Sequence, residues 1–152
     1  MTILAKLQAI LVTVGYFLRT PFLLIIRLYW GWQFFLTGKG KLMHLDKTAH
    51  FFASLNIPAP KLNAIMASST ECTCGLLLLA GLFSRFASFA LICVMCVALY
   101  TADRDAVNAI FSDTDKLFAT DPFLFLYAST IVFCFGPGKV SIDALFMKSE
   151  NA

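Results

Sequence analysis

Three stretches of this chain, residues 21–42, 62–83 and 86–102, approach the roughly 20 consecutive apolar residues that a helix needs to cross a bilayer. Hydrocarbon offers no partner for a backbone N–H or C=O, so a chain with several such stretches is confined to helices that satisfy their own hydrogen bonds. Composition agrees. Hydrophobic residues make up 59% and charged residues 14%, with a mean hydropathy of +0.79, where a soluble domain is about half apolar and a quarter charged. A fourth apolar stretch, 122–135, is shorter and needs residues 117–121 or those from Gly136 onward to complete a span. The expectation is an all-α, integral membrane four-helix bundle, a single domain over 1–152 with spans at about 21–42, 62–83, 86–102 and 117–137. The lipid bilayer is its first partner, and nucleic acid is not an expected one.

Residues 7–18 are apolar but too short to span, and they end at Arg19-Thr20-Pro21. They read as an interfacial N-terminal helix, with Pro21 starting the next one. A cleaved signal peptide is disfavoured because no A-x-A pattern follows. The tail after Lys139 is polar enough to be free. With four spans, the N-terminus, the turn at Ser84-Arg85 and the tail share a side that carries five bases, Lys6, Arg19, Arg85, Lys139 and Lys148. The other side carries six, Lys39, Lys41, Lys47, Lys61, Arg104 and Lys116. The first set faces only Asp143 and Glu150, whereas six aspartates cancel the second, which leans toward cytoplasmic termini.

Ionisable residues within a span are expensive and demand a reason. Two qualify, Arg27 and Glu71. Arg27 stands about 9 Å along the first span from Pro21, and Glu71 about 18 Å from the Phe83 end of the second, which runs antiparallel. An arginine side chain of roughly 7 Å closes most of that gap, so an Arg27–Glu71 pair inside the bundle is expected. Arg27, Gly31, Phe34, Gly38 and Lys41 share one helical stripe. Ala64, Ala67, Ser68, Glu71, Cys74 and Gly75 share another, and small residues let two such stripes approach closely. Such a pair either fixes helix register alone or holds a proton-accepting carboxylate beside a quinone or another headgroup. In the second case Glu71 and Arg27 are the catalytic candidates, with Gly31, Cys74 and Tyr100 as candidate cofactor contacts.

Five cysteines lie within the spans. Cys72 and Cys74 diverge by about 200° on a helix and cannot share a ligand. Cys93 and Cys96 lie three apart on one face, their Cβ atoms about 5–6 Å apart, in line with Tyr100 and Asp103. With a third ligand such as Cys74 or Cys134 they offer a soft site for copper or a redox pair. The other reading is that small, oily cysteines pack between helices. No span contains a histidine, so haem is not expected. In the first long loop, Leu42, Leu45, Ala49, Phe52 and Ala53 describe a short amphipathic helix at the interface. The second, "ADRDAVNAIFSDTDKLFATDP", is acidic and reads as a solvated rim, or else as a docking surface for a basic partner or a weak cation site.

Arg27 and Gly31, "GKGKL", "LNIPAP", then Glu71, Gly75, Gly81 and Arg85 in "ECTCGLLLLAGLFSR", and finally "FGPGKVSID" form an ordered set from about Arg27 to Asp143. In that set the chain resembles the DoxX family of small four-helix membrane proteins. The resemblance implies the bacterial cytoplasmic (inner) membrane and quinone-linked redox chemistry, since relatives include a subunit of a thiosulfate:quinone oxidoreductase. It equally implies an alternative. A branch with a loop like Asp103–Ala106 accompanies secreted metal-binding peptides, so the chain is then a non-catalytic anchor or accessory. A partner protein or a second copy is expected on either reading. The cysteines at 72, 74, 93, 96 and 134 stand outside the family pattern.

Overall fold

The computed structural model describes residues 3–149, which form α1 (Ile3–Met43), α2 (Leu45–Ser54), α3 (Pro60–Ala80), α4 (Ser84–Thr101), α5 (Arg104–Asn108), α6 (Thr114–Phe118), α7 (Asp121–Phe135) and α8 (Ile142–Ser149). No strand occurs among the described residues. Helices α1, α3 and α4 are long and apolar enough to cross a membrane, and α7 is a shorter apolar helix. Packing closes a four-membered ring in which α1 lies against α3, α3 against α4, α4 against α7 and α7 against α1. Phe34, Leu78, Leu91, Met95 and Val132 fill its centre. A second cluster of Leu99, Ala106 and Leu117 anchors α5 and α6 over one end.

The two small-residue stripes do meet. A Cβ placed on Gly38 would lie 2.5 Å from the Cys72 nitrogen, and one on Gly75 would lie 2.7 Å from the Phe35 nitrogen. With hydrogen in place of a side chain, α1 and α3 come into backbone contact. That contact fixes their antiparallel register, with Gly31 beside Gly75 and Arg27 beside Gly81.

Three boundaries differ from those expected. Residues 7–18 do not form a separate helix, because α1 runs unbroken through Pro21. A proline removes one helix hydrogen bond, and apolar flanks of good helix formers carry the helix past it. Every residue from Ile3 to Leu18 is exposed, the large apolar side chains included. The helix found where a fourth span was expected covers only Asp121–Phe135, about 22 Å. Leu117 belongs to α6, Thr120 is extended, Pro122 occupies the first turn of α7, and Gly136 at φ 77° ends it. The tail is not free. Asp143 accepts hydrogen bonds from the backbone N–H groups of Phe83 (2.7 Å) and Ser84 (2.9 Å), capping α4, and its own N–H donates to the Gly81 carbonyl at 2.9 Å. Glu150, counted with the tail in the charge comparison, lies outside the described residues.

Candidate functional site

Gly38 brings α1 onto α3 at Ser68 and Cys72, and one turn further on Lys41 extends along the interface to Glu71 in the middle of α3. Lys41 Nζ donates to Glu71 Oε1 at 2.7 Å and to Oε2 at 2.9 Å. The pair is asymmetric. Only 1% of the Glu71 side chain is exposed, against 33% for Lys41. The carboxylate is thus the embedded partner, and the ammonium connects it to the space outside.

That space is a half-open cavity of about 790 Å³ lined by α1, α2, α3, α4 and α7, with both Lys41 and Glu71 on its wall. Its remaining walls are mainly apolar, and Phe34, Phe51, Phe52 and Phe125 offer aromatic surface. Helix α2 forms one side. It is the amphipathic segment expected at the interface, and Lys47, Thr48, Phe51 and Phe52 line the cavity while no residue of the helix is fully buried. Thr48 Oγ1 donates to the Lys41 carbonyl at 3.2 Å, tying the start of α2 to the residue that carries the ammonium. Asp103, at the end of α4, and Asp121, at the start of α7, belong to the same lining. Part of the acidic loop therefore faces the cavity.

The expected Arg27–Glu71 pair does not form. Arg27 is 3% exposed and lies level with Gly81, ten residues or about 15 Å along α3 from Glu71. Its guanidinium turns away from the carboxylate and donates to the carbonyls of Pro137 and Val140, each at 2.8 Å. Arg27 thus fastens the segment after α7 to the middle of α1. Counting residues from Pro21 and Phe83 treated those positions as one level, whereas the glycine contacts set the register differently. Lys41 lies on the Arg27 stripe, and the reach of a lysine side chain along an apolar surface is the signal that would have marked it as the partner in place of Arg27.

The other candidates fall in separate places. Gly31 meets the backbone of Gly75 and Leu79 and serves helix contact. Cys74, one turn from Glu71, is buried in the core beside Phe34 and Leu78. Tyr100 is exposed, with the Arg104 guanidinium 5.4 Å from its ring centroid. Cys93, Cys96 and Cys134 are all exposed, and of the three Cys93 alone lines the cavity. All five thiols are free, and among the described residues no three His, Cys, Asp or Glu side chains converge as a metal site would require. Cys93 and Cys96 thus gain no third ligand from another span.

The DoxX family model matches residues 22–104, a range that includes Arg27, Lys41, Glu71 and Cys93 and stops before α7. The chain is also similar to an uncharacterized protein of Haemophilus influenzae, 27% identical over 130 residues that cover 83% of each chain. No solved structure matches.

Proposed function

Because the chain belongs to the DoxX family of membrane proteins, we propose that it is the quinone-binding subunit of a membrane oxidoreductase complex, with the Lys41–Glu71 cavity as its headgroup site. The observation that carries this reading is a buried, ion-paired carboxylate on the wall of a large apolar cavity. Spanning helices rarely bury a carboxylate without use for it. The cavity falls within the roughly 300–1,000 Å³ typical of small-molecule sites and has the usual mixture of aromatic walls and few polar groups. When bound, a quinone supplies paired two-electron and two-proton chemistry.

In this reading the chain's own residues handle binding and protons. Lys41 would donate a hydrogen bond to a bound quinone and pairs with the Glu71 carboxylate between binding events. Glu71 holds the proton that is exchanged, and Asp103 and Asp121 relay it to water at the mouth. Phe34 and Phe125, on the cavity wall, would pack against a bound quinone and exclude water. Electrons pass to or from a partner subunit. Arg27 acts as a positioning residue at the far end, since its contacts hold the bundle closed there.

Tryptophan fluorescence tests this directly. The Trp30 ring lies 5.0 Å, centroid to centroid, from that of Phe125 on the cavity wall. Titrating the protein in nanodiscs with decylubiquinone is expected to quench emission saturably, and Glu71→Gln and Lys41→Met are each expected to weaken binding roughly tenfold. Quenching that rises linearly with quinone in the bilayer, equally in all three proteins, would instead favour the accessory role, in which the chain anchors a partner and binds no quinone.

A further inference from the structure

We propose that the end of the molecule opposite the cavity seats an anionic phospholipid, its phosphate held between Arg19 and Arg85 at the C-terminus of α7. Two guanidinium groups from different helices converge there. Arg19 of α1 donates to the Phe135 carbonyl at 3.1 Å, and its guanidinium carbon lies 5.7 Å from the Phe135 ring centroid. Arg85, in the first turn of α4, lies over the next residue, so that a methyl group on Gly136 would sit 3.7 Å from two of its nitrogens. Both arginines are exposed, and Lys139 is exposed three residues beyond.

Neutralising the carbonyl end of α7 accounts for part of this arrangement, but not all of it. Each guanidinium carries five N–H donors. The hydrogen bonds among the described residues use one donor of Arg19 and none of Arg85. Asp143 is the one acid at this end among the described residues, and its carboxylate is committed to the Phe83 and Ser84 N–H groups. The positive charge is left exposed where α3, α4 and α7 have their ends, which is the level expected for lipid headgroups, and the fork of a guanidinium matches a phosphate.

A neighbouring groove identifies the source of the phosphate as a lipid. It measures about 370 Å³ between α1 and the end of α7, and Gly15, Leu18, Phe22, Leu23 and Phe135 line it with Arg19 as the one polar residue. A free phosphate has no use for such a surface, whereas an acyl chain attached to the bound phosphate does. The site lies at the opposite end of the bundle from Glu71 and is independent of the quinone reading.

The test is lipid retention by native mass spectrometry after release from nanodiscs containing equal phosphatidylglycerol and phosphatidylcholine. The wild-type chain is expected to retain phosphatidylglycerol roughly tenfold over phosphatidylcholine, and Arg19→Gln/Arg85→Gln to lose the preference while Lys39→Gln/Lys61→Gln keeps it. Leu18→Trp, which fills the groove from an exposed position without changing charge, is expected to lower retention as well. Equal retention of the two lipids by the wild type, or a preference untouched by the double arginine variant, would overturn the proposal. Complete displacement of the lipid by millimolar glycerol phosphate would assign the site to a free anion and overturn it equally.

Discussion

Gly38→Ala is expected to destabilise the bundle by about 3 kcal/mol, the upper part of the range for overpacking a tight interface. The new methyl would lie 2.5 Å from the Cys72 nitrogen and 2.7 Å from the Ser68 carbonyl oxygen. Both are backbone atoms that no rotamer change can move, so α1 and α3 must separate. Gly75→Ala, at 2.7 Å from the Phe35 nitrogen, should cost nearly as much, and Gly31→Ala less, since its nearest contact is 3.0 Å. Gly40 is the control. Nothing lies within 4 Å of a Cβ there, so Gly40→Ala should be neutral or slightly stabilising through helix propensity. Unfolding midpoints in mild detergent measure the series, and equal shifts for Gly38→Ala and Gly40→Ala would show that the helices do not touch as described.

Lys41→Met should also cost about 3 kcal/mol, roughly a hundredfold in the folding equilibrium, because it strands the Glu71 carboxylate without a counter-charge. Removing both charges at once should cost much less. In Lys41→Met/Glu71→Gln the remaining amide makes a smaller demand for a partner, so the double variant is expected to be more stable than Lys41→Met alone. Unfolding of the four proteins of this cycle decides the matter. Additive losses would mean that the two side chains are not coupled.

These two predictions rest on features that the sequence displayed unequally. The helical class, the amphipathic α2 and the facing glycine stripes were all legible, because apolar run length and 3.6-residue periodicity are local properties. Register was not. Which residue of α1 lies beside Glu71 depends on where the backbones of Gly38 and Gly75 come closest, and that contact joins positions far apart in the chain. Arg27 was recognised as a buried charge needing partners, yet its partners are carbonyls of Pro137 and Val140, more than a hundred residues away. Lys41 was placed on the correct stripe but at its end, where a lysine is easily assigned to headgroups or water. Its long side chain can equally turn inward along an apolar surface. Asp143 followed the same pattern, since a polar tail residue that caps a distant helix leaves no local mark. The early end of α7, by contrast, was punctuated by Pro122 and Gly136 in plain view.

Cys93 offers the most direct measurement on the central claim that the cavity beside Lys41 and Glu71 receives a quinone headgroup. All three of Cys93, Cys96 and Cys134 are exposed, but only Cys93 lines that cavity. Alkylation rates with N-ethylmaleimide, read cysteine by cysteine by mass spectrometry, should be taken with and without saturating decylubiquinone. Its ring is fully substituted and does not add thiols. Labelling is expected to be roughly tenfold slower at Cys93 alone, with Cys96 and Cys134 unchanged. Unaltered labelling at Cys93, or equal slowing at all three thiols, would contradict the claim.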